Sequence, residues 1–366
     1  MSGPESGQEH AGAGPAWWIY RGDGVPPEQG RIVELPDPPP WRMFRGGPAQ
    51  PPPDPDDDGA DRKLGRPAPW WGRPAGRNEC DMVNAALRLR RPLLVTGPPG
   101  AGKSSLAYRI ARELGLGRVL TWAVTSRGTL KSGLYDYDAI GRAQDAASAR
   151  AEHRSVASAN SAQPVAQDGP PGAGLGDFVR LGPLGTALLP HVRPRMLLID
   201  ELDKSDIDLP NDLLHIFEDG EYSIPELVRA RQRHPVVEVY TDDPDRVARI
   251  DSGRVQCLAF PVIVITSNGE REFPPAFLRR CLPLELPPPD ADDLAAMVHA
   301  QFPQLATDPG ALIQDFLARA QRGPLARDQL LNALHLITAG AYAEDLEAQQ
   351  SLIDSVLHVL ASQWPP

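Results

Sequence analysis

The sequence predicts an α/β fold in which a parallel central sheet carries helices on both faces and a small all-α unit follows. Short apolar runs alternate with helical stretches, the pattern of a parallel sheet whose strands are connected by helices. A Gly-rich turn joins the first apolar run to a helix. After the three consecutive prolines at 287–289, the remaining segments have helical periodicity.

Four apolar runs are predicted as buried parallel strands because they are short and continuously apolar. They cover residues 91–96, 119–124, 196–199 and 261–266. Asn78 is expected to cap the helix before the first strand, and residues 104–114 form the helix after it. The terminal helices are predicted at 292–301, 311–321, 326–338 and 344–362.

Three domains are predicted. Residues 1–76 form a Pro-, Gly- and Trp-rich arm, partly disordered, that holds five of the seven Trp residues. Its aromatic residues are expected to pack either on the chain's own folded core, which we favour, or on a partner. Residues 77–289 form the α/β domain and 290–366 the helical lid. Within the α/β domain we expect an exposed insertion at about 128–176. We also expect a hairpin at about 236–260, in which residues 236–240 pair with 254–260 and Ser252-Gly253 lies in the turn region.

Composition and charge exclude several classes of protein. The net charge of −11 over 366 residues argues against a broad basic surface for nucleic acid. The three widely spaced Cys exclude a disulfide framework and a thiolate zinc site. There is no apolar run of membrane-spanning length and no signal peptide, so we expect a cytoplasmic protein.

Residues 97–104 read G-P-P-G-A-G-K-S, the full pattern of a phosphate-binding loop, between a predicted strand and a predicted helix. The glycines let backbone N–H groups turn toward phosphate oxygens, Lys103 reaches the β- and γ-phosphates, and the Ser104 hydroxyl binds Mg²⁺. ATP and Mg²⁺ are therefore the expected ligands. The predicted nucleotide-binding residues are Gly97, Pro98, Pro99, Gly100, Ala101, Gly102, Lys103, Ser104 and Ser105.

Acidic and amide side chains follow two other predicted strands. Asp200 and Glu201 emerge from the third strand at the edge of the sheet where ligands of open α/β sheets bind. Asp200 is expected to hold Mg²⁺ and Glu201 to orient the attacking water. Asn268 ends the fourth strand and can reach that water or the γ-phosphate. Arg279 and Arg280 lie on a solvated face, form salt bridges, or lend positive charge to a neighbouring subunit's γ-phosphate.

The order of these motifs resembles an AAA+ ATPase, with the P-loop NTPase αβα sandwich and helical lid of that superfamily. It is similar to the MoxR branch, which carries an insertion before its Walker B strand. The resemblance to a bacterial MoxR-like subgroup is clearest at residues 17–20, 125–142, 181–189, 200–221 and 266–281.

The resemblance implies further roles. Lys103 and Ser104 match Walker A, Asp200 and Glu201 match Walker B, and Asn268 matches sensor 1. The arginine-finger segment Leu-Asp-Arg-Phe of the MoxR branch corresponds to residues 278–281, so Arg280 falls on the finger. Arg279 replaces an acidic residue, which leaves open which arginine acts. Arg327, early in a lid helix, is the candidate for sensor 2.

The implied function is ATP hydrolysis in a homo-oligomeric ring, a hexamer by resemblance, that remodels or activates a partner protein. MoxR proteins commonly act with von Willebrand factor A domain proteins. The first alternative is a slow nucleotide-gated assembly switch in a signalling or conflict system, against which the intact Glu201 argues. The net negative charge of the chain argues against a second alternative, a nucleic-acid motor. A small-molecule kinase is the third alternative, but a kinase would not need Asn268, Arg280 and a helical lid in this order.

Overall fold

The computed structural model describes residues 14–28, 33–53, 58–65, 75–148, 174–305, 308–321, 323, 325–342 and 344–357. Several sequence-based expectations lie outside these residues: the predicted disorder of the first residues, the packing of Trp70-Trp71, residues 149–173 of the insertion, and the end of the last helix.

The described strands are β1 (Leu93–Thr96), β2 (Leu120–Ala123), β3 (Tyr135–Tyr137), β4 (Val179–Leu181), β5 (Met196–Asp200), β6 (Glu221–Ser223), β7 (Val236–Tyr240), β8 (Val247–Asp251), β9 (Arg254–Gln256), β10 (Val262–Ser267) and β11 (Leu282–Glu285). The helices before the lid are α1 (Asp58–Leu64), α2 (Arg77–Leu89), α3 (Lys103–Leu114), α4 (Leu130–Leu134), α5 (residues 139–148), α6 (Pro183–Ala187), α7 (Leu209–Asp219), α8 (Pro225–Ala230) and α9 (Pro275–Leu278). The lid helices are α10 (Ala291–Gln301), α11 (Gly310–Ala320), α12 (Arg327–Thr338) and α13 (Leu346–Val356).

The central sheet is parallel and has the strand order β11-β1-β10-β5-β2. Its alternating side chains enter two cores. Leu93, Val95 and Leu198 contribute to the core that includes α2 and α3, whereas Leu94 and Ile199 contribute to the core on the opposite face. The four predicted strands and the αβα layering are confirmed.

Two local expectations for the central layers need correction. Asn78 is not the helix cap, since α2 begins at Arg77 after Gly76 and has no side-chain cap hydrogen bond. The sequence reading also missed β11, which contains Pro283 and lies at the sheet edge beside β1. An edge strand tolerates a proline because one side of the strand donates no ladder hydrogen bond.

A second sheet, with strand order β3-β4-β7-β8-β9-β6, covers the face opposite α2 and α3. It corrects the expected hairpin: Val236–Tyr240 pairs with Val247–Asp251, not with residues 254–260. Arg254–Gln256 pairs instead with Glu221–Ser223. The missed strand β8 alternates buried Ala248 and Ile250 with exposed Val247, Arg249 and Asp251, so it lacks a continuous apolar run.

The lid helices lie close to their predicted positions and share a core of their own. Leu294, Val298, Phe316 and Leu330 are buried there. Asp290 caps α10, because its side chain accepts the N–H of Asp293. The domain boundaries at 77 and 290 stay predictions.

The beginning of the described arm packs on the α2 and α3 side of the sheet, whereas Phe44 packs against the core on the opposite face. Tyr20 is fully buried and its hydroxyl donates to Glu79 Oε1 at 2.8 Å. The side chain of Asn84 accepts the backbone N–H groups of Ile19 and Tyr20. Trp18 Nε1 donates to Asp81. The expected packing of the arm on the chain's own core is therefore confirmed for these residues, although Trp41 is 75% exposed.

Candidate nucleotide-binding site

The loop between β1 and α3 has the backbone conformation that its glycines predict. Gly97, Gly100 and Gly102 have φ values of 145°, 78° and 88°, a region that residues with a Cβ rarely adopt. A Cβ on Gly97 would lie under 3.0 Å from the backbone oxygen of Leu286, so the loop also needs glycine there for space. The result is a glycine-rich loop, residues 97–102, directly before the amino-terminal end of a twelve-residue helix. This loop, called the phosphate cradle below, suits a phosphate group.

Lys103 is buried within this loop. Its Nζ donates to Gly97 O at 2.8 Å and to Pro98 O at 3.0 Å. Burial lowers the pKa of the ammonium group, whereas the negative charges of Asp203, Asp200 and Glu201 raise it. Both Nζ contacts go to neutral carbonyl oxygens, which an anionic phosphate can replace with a stronger, charge-assisted contact.

A hydrogen-bonded chain joins α3 to the ends of β5 and β10. Ser104 Oγ donates to Asp200 Oδ1 at 2.6 Å, and Thr266 Oγ1 donates to the same oxygen at 2.7 Å. The Thr266 hydroxyl in turn accepts the backbone N–H of Glu201 at 2.8 Å. A hydroxyl and a carboxylate that meet beside a phosphate cradle are the donor set that Mg²⁺ prefers, so these residues fit the ion.

Glu201 is half-buried and stands at φ 60°, immediately after β5. Its carboxylate accepts a hydrogen bond from Lys204 Nζ at 2.8 Å, and both side chains are partly exposed. The left-handed backbone at Glu201 turns the chain sharply at the sheet edge. The Glu201 carboxylate thus lies at the same end of the sheet as the phosphate cradle, and it contacts the ammonium group of Lys204.

Asn268 follows β10 at the same edge of the sheet. Its backbone N–H donates to Asp203 Oδ2 at 2.8 Å, and that oxygen also accepts from Glu270 N at 3.2 Å. Asp203 is buried, and its Oδ1 has no hydrogen-bond partner in the described part of the chain. The loop after β5 thus holds the loop after β10.

Arg327, the first residue of α12, connects the lid to the cradle. Its Nη2 donates to Ala101 O at 2.9 Å. Burial lowers the pKa of its guanidinium group, and the positive charge of Arg109 acts in the same direction. Its Nε is buried and has no hydrogen-bond partner among the described residues. A half-buried guanidinium group to which no carboxylate of the described residues is bonded suits a site that receives an anion.

Arg279 and Arg280 lie elsewhere. Arg91 Nη1 donates to Arg279 O at 2.9 Å, and Arg280 Nε donates to Glu218 Oε2 at 3.2 Å. Both arginines lie within three residues before β11, and the backbone N–H of its first residue, Leu282, donates to Pro92 O. They therefore lie at the amino-terminal end of β1, whereas the phosphate cradle lies at its carboxyl end, about 16 Å away along the strand.

The structure thus brings together Lys103, Ser104, Asp200, Glu201 and Arg327, with the backbone of Asn268 at the same edge. Pro98, Ala101 and their neighbours complete the loop, in which Ala101 N donates to Pro98 O at 3.2 Å. Pro99 and Ser105 lie in or next to the loop without a described side-chain hydrogen bond. Arg279 and Arg280 are not part of this cluster.

A model of AAA domains of the dynein-related subfamily matches residues 92–281, slightly more than half of the chain. The match contains the phosphate cradle, the β5 carboxylates and the β10 loop, in the order described above. The chain belongs to this AAA family. No curated protein matches the sequence.

Membership in the AAA family indicates ATP binding and hydrolysis. AAA domains are generally ATPases and usually act as oligomers. Arg327 lies beyond the matched residues, in the helical unit that follows the AAA domain. In the described part of the chain, no group of three His, Cys, Asp or Glu side chains forms a metal site. No described helix is long and apolar enough to cross a membrane.

Sequence reasoning missed two residues that organise the site of this AAA domain. Thr266 is the last residue of the predicted fourth strand, where an apolar run gives no sign of the two hydrogen bonds that its hydroxyl makes. Asp203 lies in a charged run after β5, a pattern equally typical of a solvated loop and of a segment facing a neighbour or a pore, yet it is buried against the β10 loop. Its position three residues after Asp200 was the available signal, but a side-chain bond to a distant backbone leaves no sequence pattern.

Proposed function

We propose that this AAA protein is a MoxR-like ATPase, that it hydrolyses ATP in an oligomeric ring, and that it uses the hydrolysis to remodel or activate a partner protein. The observation that carries the proposal is the 2.6 Å hydrogen bond between Ser104 and Asp200 beside the bare phosphate cradle. It puts a metal-binding donor pair next to the lysine that a triphosphate needs.

Each residue has a defined part in this proposal. Lys103 exchanges its two carbonyl contacts for the β- and γ-phosphates, while the loop N–H groups hold their oxygens. Mg²⁺, held by Ser104 and Asp200, would neutralise phosphate charge. Glu201 orients and polarises the attacking water, which adds to the γ-phosphorus as ADP leaves. Asn268 positions the water, and Arg327 binds phosphate from the lid side.

The arginine pair supports action between subunits. Arg279 and Arg280 lie at the opposite edge of the sheet from the phosphate cradle of their own chain. An arginine side chain does not span that distance. If either arginine stabilises the transition state, it does so in a neighbouring copy, and Arg280 is our first choice because it falls on the finger position.

The assembly and its partner are finer parts of the same proposal. A hexamer and a von Willebrand factor A domain partner follow from the MoxR resemblance, which rests on motifs spread over most of the chain. A cytoplasmic location agrees with three buried free cysteines.

A slow nucleotide-gated switch is the second candidate, and one contact favours it. Lys204 holds the Glu201 carboxylate at 2.8 Å, while Lys103 is bonded to its own loop. A chain in which Glu201 and Lys103 keep these contacts at rest is expected to hydrolyse ATP slowly until a neighbouring subunit or a partner changes the contacts.

The test is ATP binding and steady-state phosphate release by the full chain. Lys103→Ala should abolish binding of an ATP analogue, whereas Lys131→Ala, which removes an exposed lysine paired with Glu226, should bind normally. Glu201→Gln should bind ATP but turn over at least about 100-fold more slowly than the wild type. Unchanged affinity in Lys103→Ala, or near-normal turnover in Glu201→Gln, would refute the assigned roles. One turnover followed by arrest in the wild type would favour the switch.

A further inference from the structure

We propose that Arg42, in the amino-terminal arm, is a positioning residue for the arginine pair that acts on the neighbouring subunit. This inference rests on the proposed function and extends it to a segment outside the AAA match. Arg42 lies in a short 3-10 turn, Pro40–Arg42, that directly follows a proline-rich stretch. Its side chain is buried, whereas the flanking Trp41 and Met43 are exposed.

The Arg42 guanidinium group bonds to the carboxyl ends of two helices. Its Nη1 donates to Phe217 O at 2.6 Å and to Glu218 O at 3.3 Å, in the last turn of α7. Its Nη2 donates to Arg90 O at 2.7 Å, at the end of α2. A cation at these positions satisfies carbonyl oxygens that the helices leave unpaired and opposes the negative end of each helix dipole.

Residues at each of these helix ends also contact one of the two arginines that are candidates for the arginine finger. The Glu218 carboxylate accepts a hydrogen bond from Arg280 Nε at 3.2 Å. Arg91, the next residue after Arg90, donates to Arg279 O at 2.9 Å. One guanidinium group therefore fixes the spacing between the two supports of the segment that carries Arg279 and Arg280.

The surroundings of Arg42 indicate a positioning role. The guanidinium carbon lies 4.3 Å from the centre of the Phe260 ring and 5.3 Å from that of Phe44. Its hydrogen-bond acceptors are neutral carbonyl oxygens, and Nε has no partner in the described part of the chain. Burying a charge without a bonded carboxylate is costly, so an apolar residue would be the simpler filler if only packing mattered. A planar guanidinium group can bond to both helix ends at once, and a lysine ammonium group matches this fork poorly.

The experiment mixes two kinds of full-length chain and measures ATP turnover. The finger donor carries Lys103→Ala, so it offers Arg279 and Arg280 but no phosphate site. The site donor carries Arg279→Ala and Arg280→Ala, so it offers a phosphate site but no finger. Turnover by the wild type and recovery of turnover in the mixture establish the shared site; failure of either refutes the proposed function before Arg42 is tested.

Arg42→Lys is then added to one chain at a time. On the finger donor it should reduce the recovered turnover by about tenfold or more, since small misplacement of a catalytic group has effects of this size. On the site donor it should leave the recovered turnover and the KM for ATP unchanged. Arg88→Lys on the finger donor is the matched control, because Arg88 also bonds to an arm carbonyl and lies over Trp17. This control should recover turnover fully.

Equal recovery with and without Arg42→Lys on the finger donor would overturn the inference. An equal loss when Arg42→Lys is on the site donor would also overturn it, since that result means a general structural role. If Arg42→Lys fails to fold, Phe44→Leu decides by the same measurement. This variant keeps the volume apolar but removes one of the rings beside the guanidinium group. A several-fold loss on the finger donor alone supports the inference, and no loss refutes it.

Discussion

Thr266 links the two loops that carry the candidate catalytic groups. Its hydroxyl donates to the carboxylate expected to hold Mg²⁺ and accepts the backbone N–H of Glu201. The residue is buried, so neither bond can be replaced by water without a local rearrangement. The position of Glu201 thus depends on a neighbour from another strand.

Thr266→Val keeps the volume of the side chain and removes both hydrogen bonds. We expect a loss of about 1–3 kcal/mol in the free energy of unfolding, because Asp200 and the N–H of Glu201 lose a buried partner. ATP turnover should fall more than ATP affinity. Chemical denaturation and phosphate release measure the two effects. Thr266→Ser restores the hydroxyl and should recover most of both; equal behaviour of the Val and Ser variants would contradict this role.

The arm and helix α3 form one structural unit at the level of elements. Near the end of α3, the Glu113 carboxylate accepts the backbone N–H groups of Arg21, Gly22 and Gly24. On the preceding turn of the same helix, Arg109 pairs with Glu79, which also accepts the Tyr20 hydroxyl. The arm therefore contacts the helix that begins at the phosphate cradle.

Glu113 makes this contact pH-dependent. Burial raises its pKa to about 7 from an ordinary value of 4.5, although the three backbone N–H groups oppose the shift. The folded chain then holds the proton more tightly than the unfolded chain, so this group's contribution to stability falls as pH rises from about 4.5 to 7. Relative to Glu113→Gln, the wild type should be more stable at pH 5 than at pH 8. Denaturation of both proteins at the two pH values tests this; a difference that is constant or of opposite sign would exclude the assigned titration.

The arm should also stabilise the fold through its buried aromatic residue. Tyr20→Ala removes a fully buried ring and its bond to Glu79, and we expect it to lower the free energy of unfolding by about 3–5 kcal/mol. Deletion of residues 1–76 should lower the melting temperature further. Trp41→Ala, at a position that is 75% exposed, is the control and should melt like the wild type. Similar melting temperatures for Tyr20→Ala and the wild type would show that the arm contributes little.

The observed strands and helices also show which parts of the fold could be predicted from the sequence. Four buried strands of the central sheet are continuous apolar runs and the lid helices have helical periodicity, so both could be predicted within a few residues. The strands β3, β4 and β6 have three residues each, too few for any period to appear. Their pairing joins segments far apart in the chain, so the second sheet could not be derived from local patterns.

At the scale of the whole molecule, the candidate catalytic groups are divided between the two ends of the parallel strands of the central sheet. The phosphate cradle, Asp200 and Glu201 lie at the carboxyl ends of the strands, and Arg280 precedes the amino-terminal end of β11. Sequence motifs predicted both sets of residues. Only the strand register shows that they are too far apart to serve one site within a single chain.

The central claim is therefore that the ATPase site is completed by a second copy. The most direct measurement is the steady-state ATPase rate per chain as a function of protein concentration, for the wild type, Arg280→Ala, and Arg249→Ala as an exposed arginine control. We predict a rate per chain that rises with concentration in the wild type and the control and collapses in Arg280→Ala. A measurable rate that is independent of concentration and unchanged in Arg280→Ala would contradict the account.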